Sequence, residues 1–384
     1  MSALDQSVLP PATRLGHYRQ LAPRAAIHVS PFALGGASIG DKWAKSGQRF
    51  GEMNKDMSFK LLDAFYDAGG NFIDTANFYQ DGSSELWIGE WVELRGIRDQ
   101  LVICTKYTGD TKRGDSSVKQ RANYVGNNIK SMKLGLEESL RRLRTTYIDL
   151  FYVHFWDLHT SVEEFMDGLH VLVQQGKVLY LGISDAPAWL VVKANEYAKA
   201  NGKTPFVVYQ AKYSLLKRDI ESDILPMCRH EGIALTLFNI LEGGHIRSDE
   251  EEERRRRTGE KGRVRNESWE RSPDEKKMCD ALEAIAKQVG AKNITAIAIA
   301  YVMHKAPFMF PIVGGRKVEH LHANLEALEI SLTPEQMSYL EGVLPFKKGY
   351  PHDALGEYGD YPTWIHMSAK FDVQPMLPPI TPSK

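Results

Sequence analysis

Short apolar runs recur along the chain, and each has the length and composition of a buried strand. Strands buried on both faces of a parallel sheet form continuous apolar stretches rather than alternating ones. The eight runs are Ser30–Leu34, Phe72–Asp74, Leu101–Cys104, Ile148–Val153, Val178–Ile183, Phe206–Tyr209, Ile233–Leu237 and Met309–Val313. Amphipathic segments that favour helices lie between most of them. These predicted helices are Ser58–Asp67, Ser84–Leu94, Ile129–Leu143, Val162–Gln175, Ala188–Ala200 and Ile220–His230.

The alternation of strands and helices predicts the fold class. It implies that the strands pair in parallel through right-handed crossover connections. Eight such units within about 300 residues match a closed (β/α)8 TIM barrel, and an open doubly wound sheet with a small second domain is the alternative. We therefore expect one α/β barrel domain over residues 1–384.

Three segments lie outside the alternation. Residues 14–29 predict a short hairpin, Gly16–Gln20 with Ala25–Val29, which would close the bottom of the barrel. Residues 242–272 carry an acidic run followed by four arginines; a solvated loop insertion is the ordinary interpretation, and a lid over a cofactor is the sharper one. Residues 345–384 form a proline-rich tail in which we expect no regular element. Its aromatic residues are candidates to cover the mouth of a pocket: Phe346, Tyr350, Tyr358, Tyr361, Trp364 and Phe371.

The charge balance and the cysteines exclude several classes of protein. The chain has 48 Lys and Arg residues against 49 Asp and Glu residues, so no overall field attracts nucleic acid or a membrane. No apolar run approaches the roughly 18 residues of a membrane helix, and the N-terminus lacks the features of a signal peptide. Cys104, Cys228 and Cys279 form no C-x-x-C pair, which argues against a disulfide framework or a zinc site. We expect a reduced cytoplasmic protein, a monomer or weak homo-oligomer, without a metal.

Polar or small residues follow the predicted strands at once, where a core would not choose them. They are Asp74-Thr75, Thr105-Lys106, His154, Ser184-Asp185, Gln210, Asn239 and Gly314-Gly315-Arg316-Lys317. In a (β/α)8 barrel the carboxyl ends of the strands meet on one face, where active sites are built. We therefore expect these side chains to ring a single opening.

Three of these polar residues, together with Tyr79 in the loop that follows Asp74, suit the reduction of a carbonyl group: Asp74, Lys106 and His154. A free phenol has a pKa of about 10, and a neighbouring ammonium favours its phenolate and makes it a better proton donor. A carboxylate keeps that ammonium charged, and an imidazole can orient the substrate oxygen, so no metal is required. Each residue alone has an ordinary structural explanation, such as a turn cap or core packing. Their joint placement at successive strand ends favours the functional one.

The chain resembles the aldo-keto reductase superfamily from about residue 17 to 345. The residues that carry this resemblance are Asn71–Tyr79, Thr105-Lys106, Val153-His154, Gly182–Asp185, Tyr209-Gln210 and Pro311–Arg316. Within the superfamily, three stretches resemble the fungal aryl-alcohol dehydrogenases and their norsolorinic-acid-reductase-like relatives: Leu15–Leu21, Ser38–Trp43 and His154–Asp157.

The resemblance implies an NADPH-dependent reductase of aldehydes, with aromatic aldehydes expected and the reverse oxidation favoured at higher pH. It makes Tyr79 the general acid, Lys106 its activator, Asp74 the counter-charge and His154 the residue that orients the substrate. For the nicotinamide end of the cofactor, it implies Ser184, Asp185 and Gln210 at the carboxamide and Phe238 at the ring face. For the pyrophosphate it implies the segment Leu241 to Gly244, which includes Gly243, and Gly314 is a further cofactor-binding residue. For the adenosine end it implies Arg316, Lys317 and His320 at the 2′-phosphate and Asn324 at the adenine. Trp43, Phe78 and Trp156 are candidate walls for a flat apolar substrate.

Two positions depart from the family pattern. Asp185 replaces a common Asn and cannot donate to the carboxamide oxygen. The segment Phe238–Leu241 replaces Tyr-Ser-Pro-Leu, which keeps the ring and loses the hydroxyl contacts.

Two glycine- or cation-rich segments bear on the nucleotide. Arg316 and Lys317 would lie at the start of the predicted last helix, Val318–Leu328. Cations at the positive end of a helix dipole are unfavourable unless an anion also binds there. A 2′-phosphate would be such an anion, so these two residues favour NADP over NAD. The segment Gly35–Gly40 has Ala at the third position of a dinucleotide fingerprint, so we reject a Rossmann site there.

Two other functions remain open from the sequence. A cofactor-binding sensor or regulatory subunit would bind the nucleotide with little turnover. A barrel isomerase or aldolase would instead use Lys106 as a Schiff base.

Overall fold

The eight apolar runs form eight parallel strands that close into a barrel, which confirms the predicted fold class. The computed structural model of the chain describes residues 10–45, 53–260 and 269–382. The hairpin strands are β1 (Arg19–Ala22) and β2 (Ala25–Val29), and the barrel strands are β3 (Ala33–Gly35), β4 (Phe72–Asp74), β5 (Val102–Tyr107), β6 (Ile148–Val153), β7 (Val178–Ser184), β8 (Phe206–Lys212), β9 (Ala234–Phe238) and β10 (Met309–Val313). Because β10 pairs with β3, the sheet has no open edge and the doubly wound alternative is wrong.

The helices of the described residues lie mostly around the outer side of the barrel. Their bounds are α1 (Lys42–Lys45), α2 (Lys55–Asp67), α3 (Ser83–Arg95), α4 (Ile129–Leu143), α5 (Val162–Gln174), α6 (Ala188–Ala200), α7 (Ile224–Glu231), α8 (Asp249–Thr258), α9 (Pro273–Val289), α10 (Ile294–Lys305), α11 (Val318–Leu325), α12 (Pro334–Val343), α13 (His352–Leu355) and α14 (Thr363–His366). The helices α9 and α10 are absent from the predicted set. Ser272 and Glu275 form a capping box at the start of α9, which is a local sequence signal for this helix. The helix α10 is buried nearly all round and lacks an amphipathic period that would reveal it.

Two apolar clusters make up the core. The larger one lies between the barrel strands and the helices, and the smaller one fills the inside of the barrel. The smaller cluster contains Leu21 and Val29 of the hairpin together with Phe72 and Val102, the first residues of their strands. The hairpin therefore closes the amino-terminal end of the barrel and leaves the carboxyl end open for a site.

Two segments differ from their predicted form. Part of the charged insertion 242–272 is the helix α8 rather than a loop. Ser248 caps the first turn of this helix, and Arg255 pairs with Glu251 one turn earlier. Residues 261–268 of the insertion lie outside the described residues. The tail holds two one-turn helices, α13 and α14, where no regular element was expected. No helix in the described ranges combines the length and apolar content needed to cross a membrane.

Candidate active site

A cleft of about 1930 Å³ opens at the carboxyl ends of the barrel strands. Its lining includes every candidate catalytic, cofactor-binding and substrate-binding residue except Lys106 and Trp156. The candidates that line it are Trp43, Asp74, Phe78, Tyr79, His154, Ser184, Asp185, Gln210, Phe238, Leu241, Gly243, Gly314, Arg316, Lys317, His320 and Asn324. Residues separated by up to 281 positions of sequence therefore meet around one opening, because the barrel brings all its strand ends to one face.

A buried ion pair lies at the floor of this cleft. The Lys106 ammonium donates to both carboxylate oxygens of Asp74, at 2.7 and 2.8 Å, and to the carbonyl oxygen of Thr75 at 2.7 Å. Burial acts to lower the pKa of Lys106, but the charge of Asp74 raises it, and the net pKa lies above its ordinary value. The ammonium is 0% exposed and has three acceptors, so it is fixed as a cation and is poorly placed to attack a carbonyl carbon as a Schiff-base amine.

The Tyr79 ring lies directly beside this cation, with the Lys106 Nζ 5.1 Å from the ring centroid. Tyr79 stands on the loop between β4 and α3, at the edge of the cleft. Its ring also contacts Phe78, with the centroids 5.4 Å apart, and Trp43, with the centroids 6.2 Å apart. The phenol thus lies between a buried positive charge and an apolar wall.

His154 follows β6 and faces Tyr79, with the two ring centroids 5.8 Å apart. Burial, and secondarily the charge of Lys106, lowers the pKa of His154 well below its ordinary value, so the imidazole is neutral near neutral pH. Its buried Nδ1 has no hydrogen-bond partner among the described residues. A buried polar atom without a partner is costly, so the position of this imidazole is not explained by hydrogen bonds of its Nδ1 within the described residues.

Gln210 contacts the ion pair as well as lining the cleft. Its amide nitrogen donates to Asp74 Oδ2 at 3.0 Å and lies 3.3 Å from the Thr236 hydroxyl. The sequence analysis assigned Gln210 only to the cofactor and missed this contact, which spans 136 positions of the chain. No local signal marks such a long-range hydrogen bond.

Positive groups line the far end of the cleft. Lys317 is the residue that precedes α11, and its Nζ lies 3.4 Å from the Glu260 carboxylate beyond α8. Arg255 of α8 lies close to Gly244, and its Nη1 is buried without a partner among the described residues. An unpaired guanidinium N–H and the start of a helix both favour an anion. These residues fit the phosphates of a dinucleotide.

The aromatic candidates divide into two groups. Trp43 and Phe78 line the cleft, and the Trp43 indole N–H donates to Asp81 at 3.0 Å. Trp156 does not line it; its ring packs against Trp189 and its N–H donates to the Thr160 carbonyl.

The aromatics of the C-terminal tail do not line the cleft either. Phe346 lies against Arg218 and Tyr358 lies against Arg229.

Comparison with known proteins identifies the family of the chain. Residues 31–345 match the model of the aldo/keto reductase family. The chain belongs to this family, which confirms the resemblance found in the sequence.

Among its relatives is the aryl-alcohol dehydrogenase (NADP+) of Phanerodontia chrysosporium, to which it is 56% identical over 378 residues, 97% of this chain and 98% of that protein. It is 49% identical to norsolorinic acid reductase A of Aspergillus parasiticus over 348 residues, 90% of this chain and 86% of that protein. It is 47% identical to an aldo-keto reductase of Emericella nidulans over 346 residues, again 90% and 86%. The chain is thus similar to these oxidoreductases over nearly its whole length.

Proposed function

We propose that this protein reduces aldehydes, aromatic ones in particular, to primary alcohols with NADPH and catalyses the reverse oxidation at higher pH. The observation that carries the proposal is the meeting of Tyr79 and His154 in one cleft above the buried Asp74–Lys106 pair. The names of the relatives, which include an NADP+ aryl-alcohol dehydrogenase, support the same cofactor and substrate class.

The side chains divide the proton chemistry among them. The bound nicotinamide supplies the hydride. The Tyr79 hydroxyl donates a proton to the carbonyl oxygen, and the Lys106 ammonium stabilises the phenolate that remains. The neutral His154 imidazole orients the carbonyl oxygen by donating an N–H. In the reverse direction the phenolate accepts the proton of the alcohol, which is why higher pH favours oxidation.

The cofactor is proposed to extend along the cleft, away from the ion pair. We assign the carboxamide to Ser184, Asp185 and Gln210, and the nicotinamide face to Phe238. The remaining assignments are the pyrophosphate to Leu241, Gly243, Gly244 and Gly314, the 2′-phosphate to Arg316, Lys317 and His320, and the adenine to Asn324. Arg255 of α8 lies close to Gly244, and its Nη1 has no partner among the described residues, which supports a further contact from α8 to the pyrophosphate. This contact would give the charged insertion a role in holding the nucleotide.

A flat apolar substrate suits the other side of the cleft. Trp43 and Phe78 present two large rings there, with their centroids 6.0 Å apart. Aromatic walls bury an aromatic aldehyde at little conformational cost. Trp156 is not part of this proposal because it packs outside the cleft.

A steady-state assay of NADPH oxidation tests the proposal, with a screen over aliphatic, aromatic and polycyclic carbonyl compounds. Tyr79→Phe should abolish reduction, by at least about 100-fold in kcat because the proton donor is lost, while NADPH affinity stays nearly unchanged. The matched control is Tyr66→Phe, which removes a hydroxyl that donates to Gln100 outside the cleft and should keep wild-type turnover.

Two outcomes would contradict the proposal. NADPH binding without turnover of any carbonyl would favour a sensor or regulatory subunit. Substantial turnover by Tyr79→Phe would remove Tyr79 from the role of general acid.

A further inference from the structure

The loop that carries Tyr79 has an unusual backbone. Three consecutive residues after Tyr79 have positive φ angles: Gln80 at 52°, Asp81 at 51° and Gly82 at 90°. Residues with a Cβ adopt this left-handed conformation at a cost, and they keep it only where the surroundings hold it. The position of the Tyr79 phenol therefore depends on contacts that lie outside the loop.

Arg142, near the end of α4, supplies such contacts. Its Nη1 donates to the backbone carbonyl of Asn77 at 2.6 Å, two residues before Tyr79. Its Nη2 donates to the carbonyl of Thr111 at 3.2 Å and its Nε to the Glu138 carboxylate at 3.0 Å. The Arg142 residue is only 7% exposed, so these contacts are shielded from water and their geometry is rigid.

The same guanidinium also meets the other end of the loop. A Cβ on Gly82 would collide with the guanidinium carbon and nitrogens of Arg142. The loop thus passes over the flat face of one side chain, which touches it before Tyr79 at Asn77 and after Tyr79 at Gly82. A glycine is required at this crossing both for its φ and for this close approach.

A buried carboxylate connects Arg142 to the strand that carries Lys106. The Glu85 carboxylate lies 3.3 Å from Arg142 Nη1 and accepts a hydrogen bond of 2.6 Å from Thr105, the neighbour of Lys106 in β5. Burial raises the pKa of Glu85, and the charge of Arg142 opposes that rise. Arg142 is therefore in contact with the loop that carries the phenol and, through Glu85, with the strand that carries the ammonium.

We propose that Arg142 is a positioning residue for Tyr79, which fixes the distance between the Tyr79 phenol and the Lys106 ammonium by holding the loop at Asn77 and Gly82. It does not line the cleft and touches no reacting atom. The inference rests on the proposed function, since it gives Arg142 a role in the proton donation by Tyr79.

Arg142→Lys tests this role. A lysine keeps the positive charge near Glu85, but its single ammonium cannot reproduce the planar set of donors. A displacement of the phenol by a fraction of an ångström up to about 1 Å should lower kcat by about 10- to 100-fold. The affinity for NADPH, measured by quenching of protein fluorescence, should stay within about twofold because the cofactor residues lie elsewhere. The solvent deuterium isotope effect on kcat should increase, because proton donation then limits the rate.

The matched control is Arg98→Lys at the opposite end of the barrel. Arg98 is a similar multidentate arginine that pairs with Asp149 at 2.8 Å and donates to the Tyr147 carbonyl at 2.9 Å. Its replacement should lower the unfolding midpoint to a similar degree and leave kcat and the isotope effect unchanged. This control separates a loss of general stability from a misplaced phenol.

A second variant guards against a failure to fold. The double variant Arg142→Gln with Glu85→Gln removes both charges and leaves no unpaired buried ion, and it should show the same loss of kcat. Turnover within about twofold of wild type in the folded variants, or a loss with an unchanged isotope effect, would overturn the inference. In either case a wild-type enzyme that depends on Tyr79 would leave the proposed function intact.

Discussion

The Asp74–Lys106 pair should respond more severely to the loss of one partner than to the loss of both. The two charges lie 2.7 Å apart, and the lysine side chain is 0% exposed while the aspartate is 6% exposed. Asp74→Asn leaves a buried ammonium without its counter-charge, and Lys106→Met leaves a buried carboxylate with Gln210 as its donor. The double variant leaves no buried charge at this position.

The magnitudes follow from the burial and the distance. At an effective dielectric constant of about 20, charges at this separation attract by about 6 kcal/mol, which offsets the desolvation of both ions. Each single variant should therefore lower the free energy of unfolding by about 3–5 kcal/mol. The double variant should lose clearly less than the sum of the two, with a coupling free energy of about 3 kcal/mol.

Stability and activity should separate in this series. Urea unfolding followed by tryptophan fluorescence gives the stability of the four proteins, and NADPH oxidation with an aromatic aldehyde gives the activity. Lys106→Met and the double variant should lose at least about 100-fold in kcat, because neither contains the ammonium that activates Tyr79, even though the double variant regains stability.

A double variant that loses as much stability as the two single variants together would show that Asp74 and Lys106 are not coupled. Near wild-type turnover in the double variant would equally show that Tyr79 does not need the ammonium.

The nucleotide and a second buried histidine provide the remaining predictions. Arg255→Gln should raise the KM for NADPH and the KM for NADH by similar factors of about 10-fold, because Arg255 is assigned to the pyrophosphate that both cofactors share. Lys317→Gln should raise only the KM for NADPH, because Lys317 is assigned to the 2′-phosphate. Equal effects of Lys317→Gln on the two KM values would contradict the assignment. Burial, with a smaller effect of the charge of Arg19, lowers the pKa of His304 to about 4 in the folded protein. In the unfolded chain this histidine has a pKa of about 6.5. Below about pH 6.5 the unfolded state therefore binds more protons than the folded state, and the free energy of unfolding falls as the pH falls. When the pH is lowered from about 7 to about 4.5, the free energy of unfolding measured in urea should fall by about 2 kcal/mol less in His304→Gln than in wild type. Equal decreases in the two proteins would show that His304 does not titrate as described.

Much of the barrel is predictable because its strands are buried on both faces. The bounds of β6 agree with the apolar run Ile148–Val153, and those of α6 with the amphipathic segment Ala188–Ala200. Local composition is sufficient here, since a strand between two apolar layers has no polar positions and a surface helix has a periodic apolar stripe. The helix α8 also carries a local signal, an acidic first turn and a basic last turn that complement the helix dipole. Because the residues of α8 are almost all charged, the segment has no apolar stripe, and its composition alone favours a solvated loop.

The chemical groups that follow the strands can be identified from the amino-acid sequence alone, because the order of strand and polar residue is a local property. How those groups meet is visible only in the folded barrel: Lys106 is buried beneath the cleft rather than lining it, Gln210 donates to Asp74, and Trp156 packs outside the cleft. The hydrogen bond from Arg142 to the Asn77 carbonyl is another such long-range contact, since the two residues are 65 positions apart in the sequence. Such contacts depend on the closure of the whole barrel. A hydrogen bond between residues that are distant in sequence gives no periodic or compositional signal in the chain around either partner.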